Sequence, residues 1–381
     1  MIKRFEIIGL HGKQDFDFNL KFNSDLNIFT GKNGSGKTTV LKFLWYCLSG
    51  NVDRIRSEIV FTRATMETDS FNLVIAMNKE SESKDLSFHL EIGGKKILLP
   101  DVQPSLGPLN LVQTPQQDQS EHIKRAIGTM NDSSVFFPTF RRIEGGYASE
   151  RRRRGPRGFV GYGALQEALS DFSESLDIGN HHFVASISTL DIVTLLTSKY
   201  AEISQHTNQL QQDLSKFIID TIRVYETKER GSTKEMKLEN AQATISQIQI
   251  EISEIEKKRE LLLRPFAVLG ELVDHIFTHR GIKVTDAITL GLATESITSD
   301  KLSAGEKQML SFLCYNAFSS NSCVFIDEPE ISLHVDWQRT LFPTLLSQST
   351  SNQFIIATHS PFIYSKYADK ELVLNPDKGD K

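Results

Sequence analysis

A glycine-rich segment near the start of the sequence has the residue types and the spacing that bind phosphate groups. Residues 31–38 read Gly-Lys-Asn-Gly-Ser-Gly-Lys-Thr and match the pattern GxxxxGKT at every position. In such a loop the glycines let backbone N–H groups face the phosphates, the lysine reaches the β and γ oxygens, and the threonine hydroxyl binds Mg²⁺. The residues that we expect to contact a nucleotide are Gly31, Asn33, Gly34, Ser35, Gly36, Lys37, Thr38 and Thr39.

Two adjacent acids form a second candidate site in the last quarter of the sequence. Residues 322–326, Ser-Cys-Val-Phe-Ile, predict a buried strand, and Asp327 and Glu328 follow it directly. Carboxylates at the end of a buried strand are unfavourable unless they have a function. We expect Asp327 to join Thr38 in holding Mg²⁺, and Glu328 to polarise a water molecule as a general base. A helix-capping acid is the alternative, but it explains only one of the two acids.

Two further segments add a serine and a histidine to the candidate residues. Residues 302–308, Leu-Ser-Ala-Gly-Glu-Lys-Gln, open an apolar helix pattern, and a helix N-cap without further function is the alternative interpretation of Ser303. The apolar run 353–357 predicts a last buried strand, and His359 follows it. A lone histidine is weak evidence for a site, whereas a histidine at a strand end and after the other segments is strong evidence.

The elements that must position these residues predict an α/β fold. Residues 26–30 form a short apolar strand before the glycine-rich loop, and an apolar helix pattern follows the loop. Alternation between residues 59 and 100, with a turn signal at Gly93-Gly94, predicts an antiparallel sheet. Polar residues 101–134 predict a connecting region, and residues 134–138 predict another buried strand.

Between residues 190 and 278 the apolar residues recur at heptad spacing, with a break at Gly231-Ser232-Thr233. This pattern predicts an antiparallel helical hairpin, a short coiled coil, inserted into the α/β core. Two ordinary amphipathic helices folded onto the body of the protein are the alternative.

The order of these segments resembles that of ABC-type ATPases. In that family a segment like 302–308 is the signature motif, whose serine, glycine amide and helix N-terminus bind the γ-phosphate held by the opposite subunit. The resemblance implies ATP and Mg²⁺ as ligands and a homodimer that ATP closes and hydrolysis reopens. It implies catalytic roles for Lys37, Glu328 and His359, with His359 as the switch histidine. Phosphate contacts across the dimer are implied for Ser303, Gly305 and Glu306.

Residues 327–334, Asp-Glu-Pro-Glu-Ile-Ser-Leu-His, are similar to those of soluble ABC ATPases related to chromosome-maintenance, RecF-like and OLD-type anti-phage proteins. Val335 stands where those families commonly have proline. Residues 137–144, Phe-Pro-Thr-Phe-Arg-Arg-Ile-Glu, resemble a segment of bacterial defence ATPases, including those of PARIS-type systems. The glutamine-loop residue of the family has candidates by position only, with a polar linker as the alternative: Gln113, Gln116 and Gln117.

The resemblance predicts three regions. Residues 1–190 are the N-terminal half of the ATPase core with the antiparallel β subdomain and an arginine-rich loop, residues 190–278 are the hairpin insertion, and residues 279–381 are the C-terminal half.

OLD-type enzymes carry a Toprim nuclease after the ATPase, and residues 360–381 are much shorter than a domain. We therefore expect a separate effector protein to do any cutting.

Composition and charge limit the class of protein and its possible partners. With 39% hydrophobic and 24% charged residues, the sequence predicts a globular protein, and no apolar run has the length of a membrane span, so we expect a cytoplasmic protein. A net charge of −5 gives no general attraction to nucleic acid. The run Arg151, Arg152, Arg153 and Arg154 nevertheless concentrates positive charge, and it predicts either contact with nucleic acid or an acidic partner, or a solvated loop.

These observations favour an ATP-hydrolysing sensor and scaffold subunit in anti-phage defence, which controls a separate nuclease or toxin. A DNA-repair or chromosome-maintenance clamp is the main alternative. A nucleotide-gated scaffold with negligible turnover is a third hypothesis, which Glu328 argues against because such a protein needs no base. A transporter subunit fits poorly with the helical insertion.

Overall fold

The computed structural model describes residues 1–12, 16–77, 86–97, 115–130, 132–143, 162–228, 234–276 and 302–374. The chain forms two compact units. One consists of Met1–Ser188 and Ser299–Lys381, and the other of Thr189–Thr298.

A six-stranded sheet in which every strand pair is parallel forms the centre of the first unit. In spatial order its strands are β10 (His181–Phe183), β8 (Ser134–Phe137), β12 (Cys323–Asp327), β13 (Gln353–Ala357), β3 (Leu26–Thr30) and β14 (Glu371–Val373). The four central strands are short apolar runs, and all of their residues are buried, as is typical of a parallel sheet covered on both faces. Because the strands are parallel, their carboxyl ends lie at the same edge of the sheet.

An antiparallel sheet forms the second layer of this unit. In spatial order its strands are β2 (Phe18–Lys21), β1 (Ile2–Ile8), β4 (Arg63–Thr68), β5 (Phe71–Met77), β6 (Leu86–Ile92) and β7 (Lys95–Ile97). Buried and exposed residues alternate along β5 and β6, since one face of the sheet packs on the core. Gly93 and Gly94 both have positive φ in the two-residue turn between β6 and β7, as the sequence predicted. A short parallel pair, β9 (Arg142–Ile143) and β11 (Ser186–Ile187), completes the strands described in this unit.

Helix α1 (Lys37–Ser49) packs between the two sheets, which explains why most of its residues are buried. The ring of Phe43 lies 5.5 Å from that of Phe5 in the antiparallel sheet. Trp45 stacks on Phe136 of the parallel sheet, with ring centroids 5.6 Å apart. Residues two apart on a helix point to opposite sides, so α1 joins both sheets into one hydrophobic core.

The other helices of this unit are α2 (Val52–Glu58), α3 (Pro115–Gly128), α4 (Tyr162–Leu176), α7 (Ala304–Ala317), α8 (Val335–Ser347) and α9 (Pro361–Tyr364). Helix α7 covers the face of the parallel sheet opposite to α1, because Phe137 contacts Phe312 at 4.8 Å whereas its neighbour Phe136 faces Trp45. Helix α3 lies in the part of the sequence where we predicted a connecting region, and that prediction was wrong for residues 115–128.

The second unit contains two long helices, α5 (Thr189–Lys228) and α6 (Lys234–Ile276). Tyr200 near the start of α5 contacts Phe266 near the end of α6, with ring centroids 6.0 Å apart, so the two helices run antiparallel. Coiled-coil packing along their length stays a prediction.

The α/β fold class, with an antiparallel sheet beside the parallel core and long helices, is confirmed. Among the described residues, none of the helices is both long and apolar enough to cross a membrane.

We expect Phe136→Ala to lower the free energy of unfolding by about 3–5 kcal/mol, because its fully buried ring packs against Trp45 and Phe325 and its removal leaves a cavity. Urea denaturation followed by circular dichroism would measure the loss. Phe362→Ala is the matched control, since Phe362 is 39% exposed on α9 and its removal should change stability by less than about 1 kcal/mol. Equal losses in the two variants would contradict this account of the core.

Candidate functional site

The glycine-rich loop connects β3 to α1 and lies at the carboxyl edge of the parallel sheet. Gly31 has a φ of 137°, and a Cβ atom there would lie only 2.4 Å from the carbonyl oxygen of Leu374, so no larger residue fits without a shift of the backbone. Asn33 and Gly34 are exposed at the tip of the loop. The loop therefore presents its backbone to solvent immediately before the N-terminus of α1, where N–H groups bind anions.

The side chain of Lys37 folds back onto this loop and contacts its backbone. Its ammonium group donates to the carbonyl oxygens of Gly31, at 3.0 Å, and Lys32, at 3.2 Å. The side chain is nearly buried, and burial lowers the pKa of Lys37, although the nearby carboxylates of Glu328 and Asp327 act in the opposite direction. The Ser35 hydroxyl oxygen is buried without a hydrogen-bond partner in the described structure. The loop thus has a buried cation and an unsatisfied hydroxyl, both of which phosphate oxygens could satisfy.

Asp327 at the end of β12 lies between two hydroxyl groups. Its Oδ1 accepts a hydrogen bond from Thr38 Oγ1 at 3.1 Å, and its Oδ2 accepts one from Thr139. Asp327 is fully buried, and burial raises its pKa, while the two hydroxyl donors and the charge of Arg141 lower it. The oxygen atoms of Thr38 and Asp327 are ligands of the kind that Mg²⁺ prefers, so this pair fits the predicted metal site. Bound there, Mg²⁺ would neutralise charge on the phosphate oxygens.

Glu328 and His359 face each other beside this pair. Their side-chain atoms Oε1 and Nε2 are 3.4 Å apart. Burial and the neighbouring carboxyl group of Glu330 raise the pKa of Glu328 to about 8. Partial burial and the charge of Lys37 lower the pKa of His359, so the imidazole is neutral near pH 7. A carboxyl group that titrates near neutral pH is suited to accept a proton from water.

Glu330 holds the loop that carries His359. Its carboxylate accepts hydrogen bonds from the Thr358 hydroxyl, at 2.8 Å, and from the backbone N–H of His359, at 2.7 Å. The sequence offered Glu330 only as part of a motif, and the structure gives it this local role.

The segment that resembles a signature motif begins helix α7. Ser303 is the N-cap, and it forms a capping box with Glu306, whose carboxylate accepts from the Ser303 N–H at 2.6 Å. A Cβ atom on Gly305 would lie 2.4 Å from the carbonyl oxygen of Ser332, so glycine is required there. Ser303 is exposed. Within the part of the chain that the structure describes, no hydrogen bond joins Ser303 to the glycine-rich loop.

The structure therefore brings together Lys37, Thr38, Asp327, Glu328 and His359 at one sheet edge, whereas Ser303 and Gly305 make no hydrogen bond to that group among the described residues. Gln113 and the run Arg151–Arg154 lie outside the described residues. Gln116 and Gln117 belong to α3, where their side chains are also outside the described part.

Thr139 is a site residue that the motifs did not reveal. It follows β8, which pairs in parallel with β12, so the two strand ends meet at the same edge. The available signal in the sequence was the position of Thr139 directly after the predicted buried strand, residues 134–138. The partner of that strand was not predictable, because Thr139 and Asp327 are far apart in the chain.

A phosphate-binding loop, an acid pair at the end of another parallel strand of the same sheet and a histidine that faces one of the acids define an ATPase of the AAA/ABC type. The chain belongs to the family described as "AAA domain, putative AbiEii toxin, Type IV TA system", which matches residues 133–365. The predicted resemblance to soluble ABC-type ATPases is thereby confirmed at the level of the family.

One curated protein and two solved structures are similar to this chain. The "Retron Vc95 probable ATPase" of Vibrio cholerae serotype O1 biovar El Tor is 23% identical over 395 residues, which cover 97% of this chain and 73% of the relative. The Smc head domain of Pyrococcus furiosus with an extended coiled coil, bound to the C-terminal domain of ScpA, superposes with a TM-score of 0.42 and 14% identity over 96% of this chain and 91% of that chain. A second Smc head, bound to the C-winged helix domain of ScpA, gives 0.44 and 11% over the same shares.

We expect kcat/KM for ATP to increase as the pH rises through about 8, because Glu328 accepts a proton only when it is ionised and its pKa in the free protein is raised to that value. Glu330→Gln removes a neighbouring carboxyl group that raises this pKa, so the increase should move to lower pH by about one unit. The measurement is the pH dependence of phosphate release. Glu6→Gln on the antiparallel sheet is the matched control and should leave the profile unchanged, and an unshifted profile in Glu330→Gln would contradict the assignment.

Proposed function

We propose that this chain is an ATP-hydrolysing switch that dimerises around ATP and Mg²⁺ and controls a separate effector protein in anti-phage defence. The observation that supports the proposal is that Lys37, Asp327 and Glu328 lie together at the sheet edge, while Ser303 at the start of α7 is exposed. Among the described residues, Ser303 makes no hydrogen bond to that group. Such an arrangement supports a site that a second copy of the chain completes.

Within one site the side chains divide the chemistry of phosphoryl transfer. Lys37, which now donates to the loop carbonyls, would bind the β and γ oxygens instead, and Thr38 and Asp327 would hold Mg²⁺. Glu328 orients the attacking water and accepts its proton. The neutral His359 lies close enough to Glu328 to hold the same water or the γ-phosphate.

The exposed N-terminus of α7 supplies the other half in the proposed dimer. Its backbone N–H groups carry the positive end of the helix dipole, which favours a phosphate group. Ser303 and the amide of Gly305 would face the γ-phosphate that the opposite copy holds, and the capping box keeps them in place. ATP would thus bridge two copies, and hydrolysis would release them.

The defence role and the separate effector rest on the relatives. The family description names a toxin of a type IV toxin–antitoxin system, and one relative is the probable ATPase of a retron. An ATP-dependent dimer that holds an effector in one nucleotide state can release it in another, so such a protein can act as the sensor of a defence system. Contact of Arg151–Arg154 with nucleic acid stays a separate proposal for the trigger.

We expect a mixed dimer to recover ATPase activity that two inactive variants lack. Lys37→Met removes the phosphate-binding cation, and Ser303→Asp keeps an N-cap residue but places a negative charge against the phosphate. In a dimer of one copy of each, both changes fall in one composite site and the other site is intact. Co-expression with two different tags and tandem purification should therefore give about half of the wild-type turnover per dimer.

Ser303→Asn, which keeps the cap and adds no charge, is the control for the helix and should retain more turnover than Ser303→Asp. Turnover of the mixed dimer no higher than that of the two single variants would contradict a composite site.

We expect Glu328→Gln to lose turnover by about 100-fold or more while it still binds ATP, because it lacks the base but keeps the phosphate-binding groups. ATP and Mg²⁺ should then trap the variant as a dimer or a larger assembly, which light scattering detects. Co-expression with the product of the adjacent gene, followed by native mass spectrometry, tests whether this assembly holds an effector. A monomer in ATP that ignores the neighbouring product would contradict the proposal and favour a DNA-dependent clamp, and unchanged turnover would remove Glu328 as the base.

A further inference from the structure

Arg141 is a buried arginine beside the catalytic acids for which the motifs give no role. It lies between β8 and β9, and only 7% of its surface is exposed. One terminal nitrogen, Nη1, donates to the carbonyl oxygens of Pro138, at 2.9 Å, and Asp327, at 2.7 Å. The other, Nη2, donates to the carbonyl oxygen of Glu328 at 3.0 Å. The planar fork of the guanidinium group therefore spans the two peptide carbonyls on either side of the Glu328 α-carbon.

The backbone that this fork holds is unusual. Glu328 has a φ of 50°, in the left-handed region that residues other than glycine rarely adopt. Such a conformation persists only when surrounding contacts fix it. The Glu328 N–H donates to the carbonyl oxygen of Ala357 at 2.8 Å, which holds the turn on one side, and Arg141 holds its two consecutive carbonyls on the other.

The guanidinium group is itself held in place. It lies over the ring of Phe312 on α7, with 5.6 Å between its central carbon and the ring centroid. Burial lowers the pKa of Arg141 to about 10, and the charges of Asp327 and Glu330 oppose that shift, so the side chain remains a cation near pH 7. A lysine could keep this charge, but its single ammonium group could not reproduce a planar fork on two carbonyls.

We propose that Arg141 is a positioning residue for ATP hydrolysis, which fixes the left-handed turn at Glu328 and so directs the Glu328 carboxylate toward the water that it activates. This inference rests on the proposed hydrolysis at this site. A residue that only supported the fold would affect many properties of the protein. We infer instead that Arg141 affects the reaction only through the position of Glu328.

The test compares Arg141→Lys and Arg141→Met with the wild-type chain in full length. Both variants lose the fork, and methionine also fills the buried space and can pack on Phe312 without a buried charge. We expect kcat to fall about 100-fold in either variant, because a small displacement of a catalytic group has an effect of this size. The dissociation constant for ATP should change by less than about threefold, since the phosphate-binding loop is untouched.

Arg54→Lys is the matched control. Arg54 also lies over an aromatic ring, that of Phe172, at 6.0 Å, but on α2 and away from the acids, so its replacement should leave kcat unchanged. The decisive measurement repeats both Arg141 variants in a Glu328→Gln background with radiolabelled ATP. If Arg141 acts through Glu328, the double variants should have the same residual turnover as Glu328→Gln alone.

A further loss in the double variants, unchanged kcat in the single variants, or weaker ATP binding in place of lower kcat would each overturn the assignment. Unfolding of both single variants, measured as melting temperature, would show that Arg141 supports the fold instead and would overturn it as well. Absence of turnover in the wild-type chain would overturn the proposed function together with this inference, whereas normal wild-type turnover with active Arg141 variants would overturn only the role of Arg141.

Discussion

The central constraint in this structure is the placement of several charged groups at one partly buried edge of a parallel sheet. Asp327 is fully buried, Glu328 and Glu330 are partly buried beside it, and the nearly buried Lys37 lies within reach of their charges. Charged groups taken out of water are strongly destabilising unless hydrogen bonds and opposite charges compensate. The surrounding segments therefore have to supply hydrogen bonds or opposite charges to each of these groups.

The three carboxyl groups differ in how well hydrogen bonds compensate for their burial, and this difference affects their chemistry. Asp327 has two hydroxyl donors and Glu330 accepts from a hydroxyl and a backbone N–H, so both carboxylates are well solvated by the protein. Glu328 has a histidine at 3.4 Å, and burial together with the neighbouring carboxyl group of Glu330 raises its pKa to about 8. The carboxyl group with the poorest compensation is thus the one to which we assign proton transfer, and the better compensated ones hold ligands or loops.

Motifs in the sequence identified the residues that the structure brings together at this edge, whereas the residues that support them, such as Thr139 and Arg141, were not predicted. Lys37, Asp327, Glu328 and His359 each follow an apolar strand with a recognisable local pattern. Thr139 and Arg141 contact Asp327 and Glu328 from positions 186 to 188 residues away, and such contacts depend on which strands are neighbours in the sheet. A single sequence does not specify strand order, so their roles could not be predicted.

Helix α3 shows the same limit at the level of secondary structure. Its segment is polar, and Ile123 and Ile127 are the apolar residues that the structure describes as buried in it. Two apolar residues one turn apart are too weak a pattern to indicate a helix. The Gly93-Gly94 turn was predictable because its conformation is local, whereas α3 depends on packing against α1 and α2. Features that depend on neighbouring residues in the sequence were therefore easier to predict than features that depend on tertiary packing.

The position of α7 would connect the two halves of the proposed composite site. Its first residues carry Ser303, which we propose to face the partner's nucleotide, and Phe312 two turns later packs on Phe137 and on the guanidinium group of Arg141. Arg141 in turn holds the carbonyls of Asp327 and Glu328 in the chain's own site. A close-packed layer transmits displacement instead of absorbing it. A shift of α7 on closure of the dimer would therefore change the position of Glu328, so that assembly and hydrolysis depend on the same contacts.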